Sequence, residues 1–585
     1  MSHTPSPGDP IWIFPKEDPA LAARLEREFY LHPVVARILV ARGLSTVDHV
    51  HQFLYAQLPD LLDPFLFSDM RAAVDRITRA IDQQEPILVF GDTDVDGMTG
   101  TALLVDFLKR VGGIVDYQLP NRGRLSGSLL PDACHLAKDR GFRLLITVDC
   151  GITAREDEIA ALKTAQVDLI ITDHHEPTSR SHSCFAILNP KTVDSGYPNR
   201  HLTGVGVAFK LIHALTQHLL ELRRLEPGAI NLKEYLDLVA LGTVADMGAL
   251  VGENRILVRY GLKELNHTKR VGLRQLMEVS DLNAGTLSSV DIVSKLAPRL
   301  NSLGRIADPR HGVELLITED VERAAQLAKE LERNNLQRQK IERAMSQELD
   351  RVLVAHPDLL TAKAIVMSSN KWHPGVIPIL SARLAKQYNR PTCLIAIEDQ
   401  VGKGSIRTIP EFPLLPILHR MRHLLLNYGG HDYAAGLVVD IAHLEEVKQC
   451  FLQAAQESLS DDMLPVRLRL DAHVTLGDLT FDFMESLALL EPFGNENPPP
   501  VLFCEAQQQG ARVLGKQHLR LYLGEEERCI EGIAFNMAEK RSLLTRKGER
   551  LRVAFTPTVI TQQCKAAIHL QVRDFKVLPA PTSAP

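Results

Sequence analysis

Short apolar runs alternate with helix-length stretches through the first half of the chain. Ile87–Phe90 is a run of four apolar residues that ends in Gly-Asp-Thr-Asp-Val-Asp-Gly, and a helix is predicted over Thr99–Arg110. Leu144–Val148 ends at Asp149, and Leu169–Thr172 ends at Asp173. Runs this short and this continuously apolar, spaced by helices, predict a parallel sheet covered on both faces. Such sheets bind ligands beyond the carboxyl ends of their strands. Residues 1–70 read as a helical lead-in, in which LPDLLDPFLFSDM forms a loop before a helix Arg71–Gln83.

The pattern changes twice more. Residues 319–355 are highly charged, with apolar positions at helical spacing, and predict a solvated helix joining two lobes. A second mixed segment follows: strand Ala364–Ser368, helix Ile377–Gln387, strand Thr392–Ile397 and the tract NYGGHDYAAG (Asn427–Gly436). The last stretch consists of short strand-like runs, Val466–Val474, Val501–Cys504, Leu519–Leu523, Gly532–Phe535, Leu551–Phe555 and Ile568–Phe575. Many short strands with turns between predict a small β-barrel. The expected class is therefore α/β followed by a barrel. Its expected segments are 1–70, 71–318 (catalytic), 319–355 (connecting helix), 356–460 (second α/β domain) and 461–580 (barrel).

Length and composition narrow the class without changing it. The chain has 585 residues, 45% hydrophobic and 24% charged, which fits a multidomain globular protein. No apolar run approaches the length of a membrane span, so no membrane is expected as a partner. MSHTPSPGDP has no basic start followed by an apolar stretch, the pattern of a secretory signal. The eight cysteines are scattered with no C-x-x-C pair, which reads as reduced thiols of a cytoplasmic chain. A net charge of −6 argues against a protein that coats nucleic acid. The charge is uneven, however. Residues 501–585 hold 13 Lys and Arg against 8 Asp and Glu, a net of +5, so the remainder carries −11. A basic barrel suits a phosphate backbone.

The acids carry the chemistry. Asp92, Asp94 and Asp96 follow the first predicted strand, Asp149 the second and Asp173 the third, with His174 and His175 next to it. Taken singly, an Asp after a strand is an ordinary helix N-cap. Taken together, parallel strands bring these ends to one edge, where their repulsion calls for cations. Oxygen-rich ligands with one or two histidines suit Mn²⁺ or Mg²⁺ better than zinc. Two such ions can activate a water and stabilise a leaving oxygen. A further acid is needed to close the site. Asp246, after the apolar run in VALGTVADMG, is the first candidate and Asp237 the second.

GDTDVDGMTGT, TVDCGI, ITDHHEP and LVALGTVAD resemble the four motifs of the DHH phosphoesterases. LPNR, ILNPK, GVGVAFKL, GENRILV, KLAPRLNSLGR, WHPGVI, GKGSIR, GGHDYAAG and EPFGNENP, in family order along nearly the whole chain, resemble that family's single-strand-specific exonucleases. The resemblance implies a DHH domain, a DHH-associated domain and an OB-fold barrel. It implies 5′→3′ release of mononucleotides from single-stranded DNA with two Mn²⁺ or Mg²⁺ ions, in repair and recombination. It implies metal ligands at Asp92, Asp94, Asp96, Asp149, His174 and Asp246. The implied catalytic set is Asp94, Asp96, Asp149, His174, His175 and Asp246, with Asp173 orienting its neighbours. It implies contacts to a 5′ end at Arg122, Arg305, Arg383, Ser405, Arg407, Gly429, Gly430 and His431. A single-strand-binding protein and a helicase are the implied protein partners, and a monomer the implied state.

Two features depart from the family pattern: Leu125–Leu129 lacks the usual Gly-Tyr-Gly turn, and Pro378 stands where Gly is usual. Proline is acceptable in the first turn of a helix, so a local change is expected there. Gly510–Lys516 matches seven places of a phosphate-binding loop but continues with Gln517 in place of Ser or Thr, and the next residues alternate like a strand. Gly204-Val-Gly206 precedes a helix but lacks the third glycine of a dinucleotide fingerprint, and reads as packing or a phosphate-side turn. Two other functions compete: a phosphodiesterase for short oligonucleotides or cyclic dinucleotides, and a non-catalytic scaffold of replication or repair. The barrel speaks against the first. The full set of motif acids speaks against the second.

Overall fold

A computed structural model describes residues 10–120, 130–177, 183–283, 285–430, 432–525, 528–544, 546–562 and 565–579. The chain divides into two units, one of Gln57–Leu464 with Gly494–Glu496, the other of Gly8–Ala56, Pro465–Phe493 and Asn497–Pro585. The loop Leu125–Leu129 lies outside the described residues.

The first unit opens with helix α1 (Met70–Asp82) and strand β1 (Ile87–Gly91). Helix α2 (Val95–Arg110), strand β2 (Val115–Gln118), β3 (Leu144–Val148), β4 (Asp168–Thr172) and β5 (Ala186–Leu188) follow. The sheet order is β2-β1-β3-β4-β5, with every pair parallel. Both faces of β1 are apolar because both are covered. Ile87 and Val89 enter one core with α1 and α2, while Leu88 and Phe90 enter another with Ile159 and Leu162. Helix α2 starts four residues before the predicted Thr99, so Asp94 is its N-cap and Asp96 lies in its first turn. Helices α3 (Gly204–Glu221) and α4 (Leu236–Ala245) pack on α2.

Helices α5 (Ala297–Ile306) and α6 (Val321–Ala355) lead to the second lobe. Asp320 caps α6 by accepting from the N–H groups of Glu322 and Arg323. Leu327 and Leu331 near its start join the core of the first lobe, and Leu349 and Leu353 near its end join a core of the second. The second lobe holds β6 (Ile365–Ser369), α7 (Ile377–Tyr388), β7 (Thr392–Glu398), β8 (Val401–Arg407), β9 (Leu425–Gly430) and β10 (Ala434–Asp440). Its sheet order is β9-β10-β8-β7-β6, antiparallel except for β6 and β7. Pro378 sits in the first turn of α7, where its missing N–H costs nothing.

The second unit is a closed barrel of five strands: Leu502–Leu514, His518–Glu525, Arg528–Ala534, Arg550–Gln562 and Lys565–Val577. The first and fourth strands pair to close it. Gly510–Lys516 runs along the first hairpin of this barrel rather than opening a helix, so it is no phosphate loop. The helices Pro19–Phe29, Pro33–Ala41 and Val47–Tyr55 belong to this unit: Leu25, Ile38, Leu39 and Leu54 share one core with Leu519, Leu521, Phe555 and Phe575. The lead-in expected over 1–70 is thus divided after Ala56. Strand Ile11–Ile13 pairs in parallel with Arg467–Arg469, and Trp12 Nε1 donates to the buried Asp574 carboxylate at 2.7 Å. Among the described residues no helix is long and apolar enough to cross a membrane.

One polar knot in the first unit ties the segment before α1 to α3. Lys210 Nζ, fully buried, lies 2.5 Å from Glu253 Oε1 and donates to the Leu62 carbonyl at 2.7 Å. Glu253 also accepts from Leu62 N at 2.8 Å and from the Tyr197 hydroxyl at 2.5 Å. Removing one partner of such a pair leaves an uncompensated buried charge. Glu253→Ala is expected to lower unfolding free energy by about 3–5 kcal/mol in urea titrations; a loss under ~1 kcal/mol would show that the knot contributes little.

Candidate metal centre and adjoining cleft

Each acid reaches the site through a different backbone device. Asp92 leaves the end of β1, and its Oδ1 accepts from Thr93 N at 2.6 Å. Asp94 accepts from Gly97 N at 3.0 Å as the cap of α2. Asp149 follows β3 with a φ of 60°, a left-handed conformation that Asp tolerates better than most residues. Asp246 ends α4 as its C-cap. The motif His174-His175 follows β4 through Asp173.

These side chains converge on His174. Its Nε2 lies 3.0 Å from Asp149 Oδ1, 3.6 Å from Asp246 Oδ2 and 3.7 Å from Asp96 Oδ2. Three overlapping groups gather ligand atoms within 4.8 Å of one another: Asp149 with His174 and His175, Asp96 with His174 and Asp246, and Asp92 with Asp94 and Asp149. All six residues assigned to metal from the sequence, and His175, fall in this cluster. Asp237 does not belong to it. It lies at the other end of α4, where it accepts from Thr268 Oγ1 at 2.7 Å and faces Arg270 Nε at 3.3 Å.

The electrostatics are those of a cation site. Burial, then the Asp94 carboxylate, pushes Asp96 up to about 7. Burial and the neighbouring carboxylates likewise hold Asp149 and Asp246 well above the usual carboxylate range. Asp149 Oδ1 is fully buried, and the polar atom facing it at 3.0 Å is His174 Nε2, itself a candidate ligand. Such a set fits hard divalent ions, which supply the positive charge the cluster lacks. The adjacent thiol of Cys150 turns its Sγ to the Phe90 carbonyl at 3.6 Å and stays outside the cluster. Asp173 plays a different part. Its Oδ1 meets His175 Nδ1 at 2.7 Å and accepts from His174 N at 2.7 Å, while Oδ2 accepts from Ile152 N at 2.9 Å. Burial alone would lower the His175 imidazole, but the Asp173 carboxylate outweighs it and raises it to about 9.

Sequence reasoning missed the element that holds Asp96. The first two N–H groups of α3 grip its carboxylate, Gly204 N to Oδ2 at 2.6 Å and Val205 N to Oδ1 at 2.9 Å. Both are orphan donors of a helix N-terminus. Gly204 has no alternative residue there, because a Cβ would stand 2.6 Å from Asp149 Cβ and 2.7 Å from its Oδ1. A glycine pair opening an apolar helix without an acidic cap was the available signal.

A cleft of about 860 Å³ runs from this cluster into the second lobe. Asp149 and His175 line one wall, and Ser405, Arg407, Gly429 and Gly430 the other. Arg407 is largely withdrawn from water, which lowers its pKa, and no carboxylate pairs with it among the described residues. Its Nη1 donates to Ile406 O at 2.9 Å and to Ser405 Oγ at 3.3 Å. Of the other three predicted arginines, the two that are described are engaged elsewhere: Arg305 Nη1 donates to the Gly375 carbonyl at 2.7 Å, and Arg383 bonds Ser346 and, at 3.0 Å, Asp350 on α6. Arg122 and His431 lie outside the described residues.

Three family models match the chain: the DHH family N-terminal domain over residues 86–243, the DHHA1 domain over 361–461 and the RecJ OB domain over 470–574. The single-stranded-DNA-specific exonuclease RecJ of Bacillus subtilis is 33% identical over 572 residues, 97% of this chain and 71% of the relative. The crystal structure of RecJ in complex with Mn²⁺ from Thermus thermophilus superposes with a TM-score of 0.81 at 30% identity, covering 97% of this chain and 80% of that one. The Mg²⁺ complex of the same protein gives 0.74 at 28% identity, over 97% and 79%. The fold, the acid cluster and these relatives agree: the chain belongs to the RecJ family of single-stranded-DNA-specific exonucleases.

Proposed function

We propose that this protein removes 5′-mononucleotides, one at a time in the 5′→3′ direction, from single-stranded DNA, with the acid cluster holding two Mn²⁺ or Mg²⁺ ions. The observation that carries this reading is one cleft with the acid cluster on one wall and an uncompensated guanidinium, Arg407, on the other. A terminal phosphate on Arg407 with the next phosphodiester at the acids would make the product a single nucleotide. Arginine suits that role because its fork donates two parallel hydrogen bonds to phosphate oxygens. Gly429 and Gly430 have no side chains to keep a sugar-phosphate strand away from the sheet edge.

Asp92, Asp94, Asp96, Asp149, His174 and Asp246 are the proposed metal ligands. When bound, two divalent ions supply an activated water and neutralise charge on the leaving oxygen. The remaining work falls to the chain. Gly204 and Val205 fix both oxygens of Asp96, so that carboxylate cannot swing away. Asp173 holds the His175 Nδ1 proton and thereby the orientation of the ring, leaving Nε2 as the atom to face substrate. The net positive charge of residues 501–585 supports contact of the barrel with a phosphate backbone. The same reading makes the protein a cytoplasmic DNA-repair and recombination enzyme, acting on strands that a helicase and a single-strand-binding protein supply.

The deciding assay uses 5′-labelled single-stranded, duplex and 3′-recessed DNA with Mn²⁺, beside a dinucleotide. Mononucleotides are expected from the single strand alone; cleavage of the dinucleotide alone would reverse the assignment. Asp149→Ala is expected to abolish turnover and leave DNA binding within about twofold, as for a group that acts only in the chemical step. Gly204→Ala should weaken Mn²⁺ binding at least tenfold by calorimetry, because the added methyl displaces Asp149; unchanged binding would remove α3 from the site. Arg407→Ala should erase the preference for a 5′-phosphate over a 5′-hydroxyl end.

A further inference from the structure

Asp246 is presented by a helix end that is strained where it stops. Helix α4 closes with a left-handed cap: Met247 N donates to Val244 O at 3.2 Å, and Gly248 N to Thr243 O at 2.9 Å. The residue that takes the left-handed turn of such a cap is ordinarily glycine, because a Cβ crowds the backbone there. Here it is Met247, at a φ of 58°. Met247 is 56% exposed, so packing of its side chain does little to hold the turn. Asp246 stands immediately before it as the C-cap of α4, so the turn fixes the backbone from which its carboxylate projects.

The turn is held by a segment far along the chain. Gly494–Glu496 belong to the first unit, although the residues on either side of them belong to the second. Asn495 brackets the loop after Asp246. Its Nδ2 donates to Met247 O at 2.8 Å, and its carbonyl accepts from the N–H of the buried Leu250 at 2.9 Å. Gly494 permits the approach, since a Cβ would stand 2.6 Å from Leu250 Cδ1. The base of this tongue is closed by the buried Asn497, whose Nδ2 donates to the carbonyls of Leu490 and Pro492 at 2.8 and 2.9 Å. The same loop packs towards Asp96. A Cβ on Gly248 would stand 2.5 Å from Thr203 Cγ2, and Thr203 precedes the two N–H groups that grip that carboxylate.

We infer that Asn495 is a positioning residue for the metal centre: it holds the left-handed cap of α4 in the form that keeps Asp246 among the other ligands. This rests on the reading of Asp246 as a metal ligand. Asn495 stands outside the three ligand groups and acts through the backbone of Met247. A site formed by side chains between Asp92 and Asp246 is thereby completed by a residue that lies 248 positions beyond Met247.

The test measures Mn²⁺ affinity of the full chain by calorimetry, beside binding of a single strand in EDTA. Asn495→Ala is expected to weaken Mn²⁺ binding about fivefold, the factor carried by one neutral hydrogen bond, and to leave strand binding in EDTA unchanged. Asn495→Asp, which keeps the shape and removes the amide donor, should give the same loss even if alanine disturbs the tongue. Adding Met247→Gly to Asn495→Ala should restore the affinity, because glycine takes the left-handed turn unaided. Affinity within about twofold of the native value in both Asn495 variants would overturn the proposal. Equal losses of metal and strand binding would mean that Asn495 only supports the fold, and would overturn it too. So would a double variant that recovers nothing, since the effect would then not pass through the cap. If Asp246→Asn itself leaves Mn²⁺ binding intact, Asp246 is no ligand, which is a separate failure and removes the ground of the proposal.

Discussion

Two carboxylates about 4 Å apart repel by about 4 kcal/mol in an effective dielectric of about 20, and burial adds the loss of water around each. Asp96 and Asp149 are both buried at the edge of the sheet, with Asp94 and Asp246 beside them. Much of the first unit can be understood as a way to keep these charges together. The parallel strands bring Asp92, Asp149 and Asp173 to one edge. The amino end of α3 puts two N–H donors on Asp96. Gly204 leaves out a Cβ that would stand 2.6 Å from Asp149 Cβ, and Gly242 leaves out one that would stand 3.0 Å from Asp96 Oδ1 where α4 passes. The residual charge is what divalent ions answer.

The opposite wall of the cleft has the inverse problem, a positive charge with no negative partner among the described residues. Two other buried cations in this unit are answered by acids inside the protein, Lys210 by Glu253 and Arg76 by Glu85 and Asp168. Arg407 has neutral acceptors only, Ile406 O and Ser405 Oγ. Its charge is therefore available to a ligand at no cost of breaking an ion pair. The two walls carry opposite deficits, and a nucleic-acid end bound to cations is a ligand that satisfies both.

Strand-end acids were legible in the sequence because a parallel strand buried on both faces shows as an unbroken apolar run, and the residue that ends it is on the functional edge. The boundary of α2 was misplaced for a related reason: Val95 and Asp96 do not look like helix interior, yet Asp94 caps that helix. Periodicity also could not tell which of two acids on α4 faces the site. Asp237 and Asp246 stand at opposite ends, and only the packing of α4 on α2 decides between them. The arginines show the limit most clearly. Arg383 and Arg407 are equally plausible phosphate ligands by type, but Arg383 meets Asp350 on α6 and Arg407 meets no acid among the described residues. Partners distant in sequence leave no local pattern, which is also why the lead-in helices gave no hint that they pack with the barrel.

That packing bears on how the chain acquires its structure. The helices up to Ala56 and the strands after Asn497 form one core, so the first unit is threaded into the second as an insertion of several hundred residues. On a ribosome the early helices emerge long before the strands they must bury against. The inserted unit can complete its own cores in that interval. The outer unit can close its core only once its last strands have been made, so its early helices wait with their apolar faces uncovered while several hundred residues are synthesised.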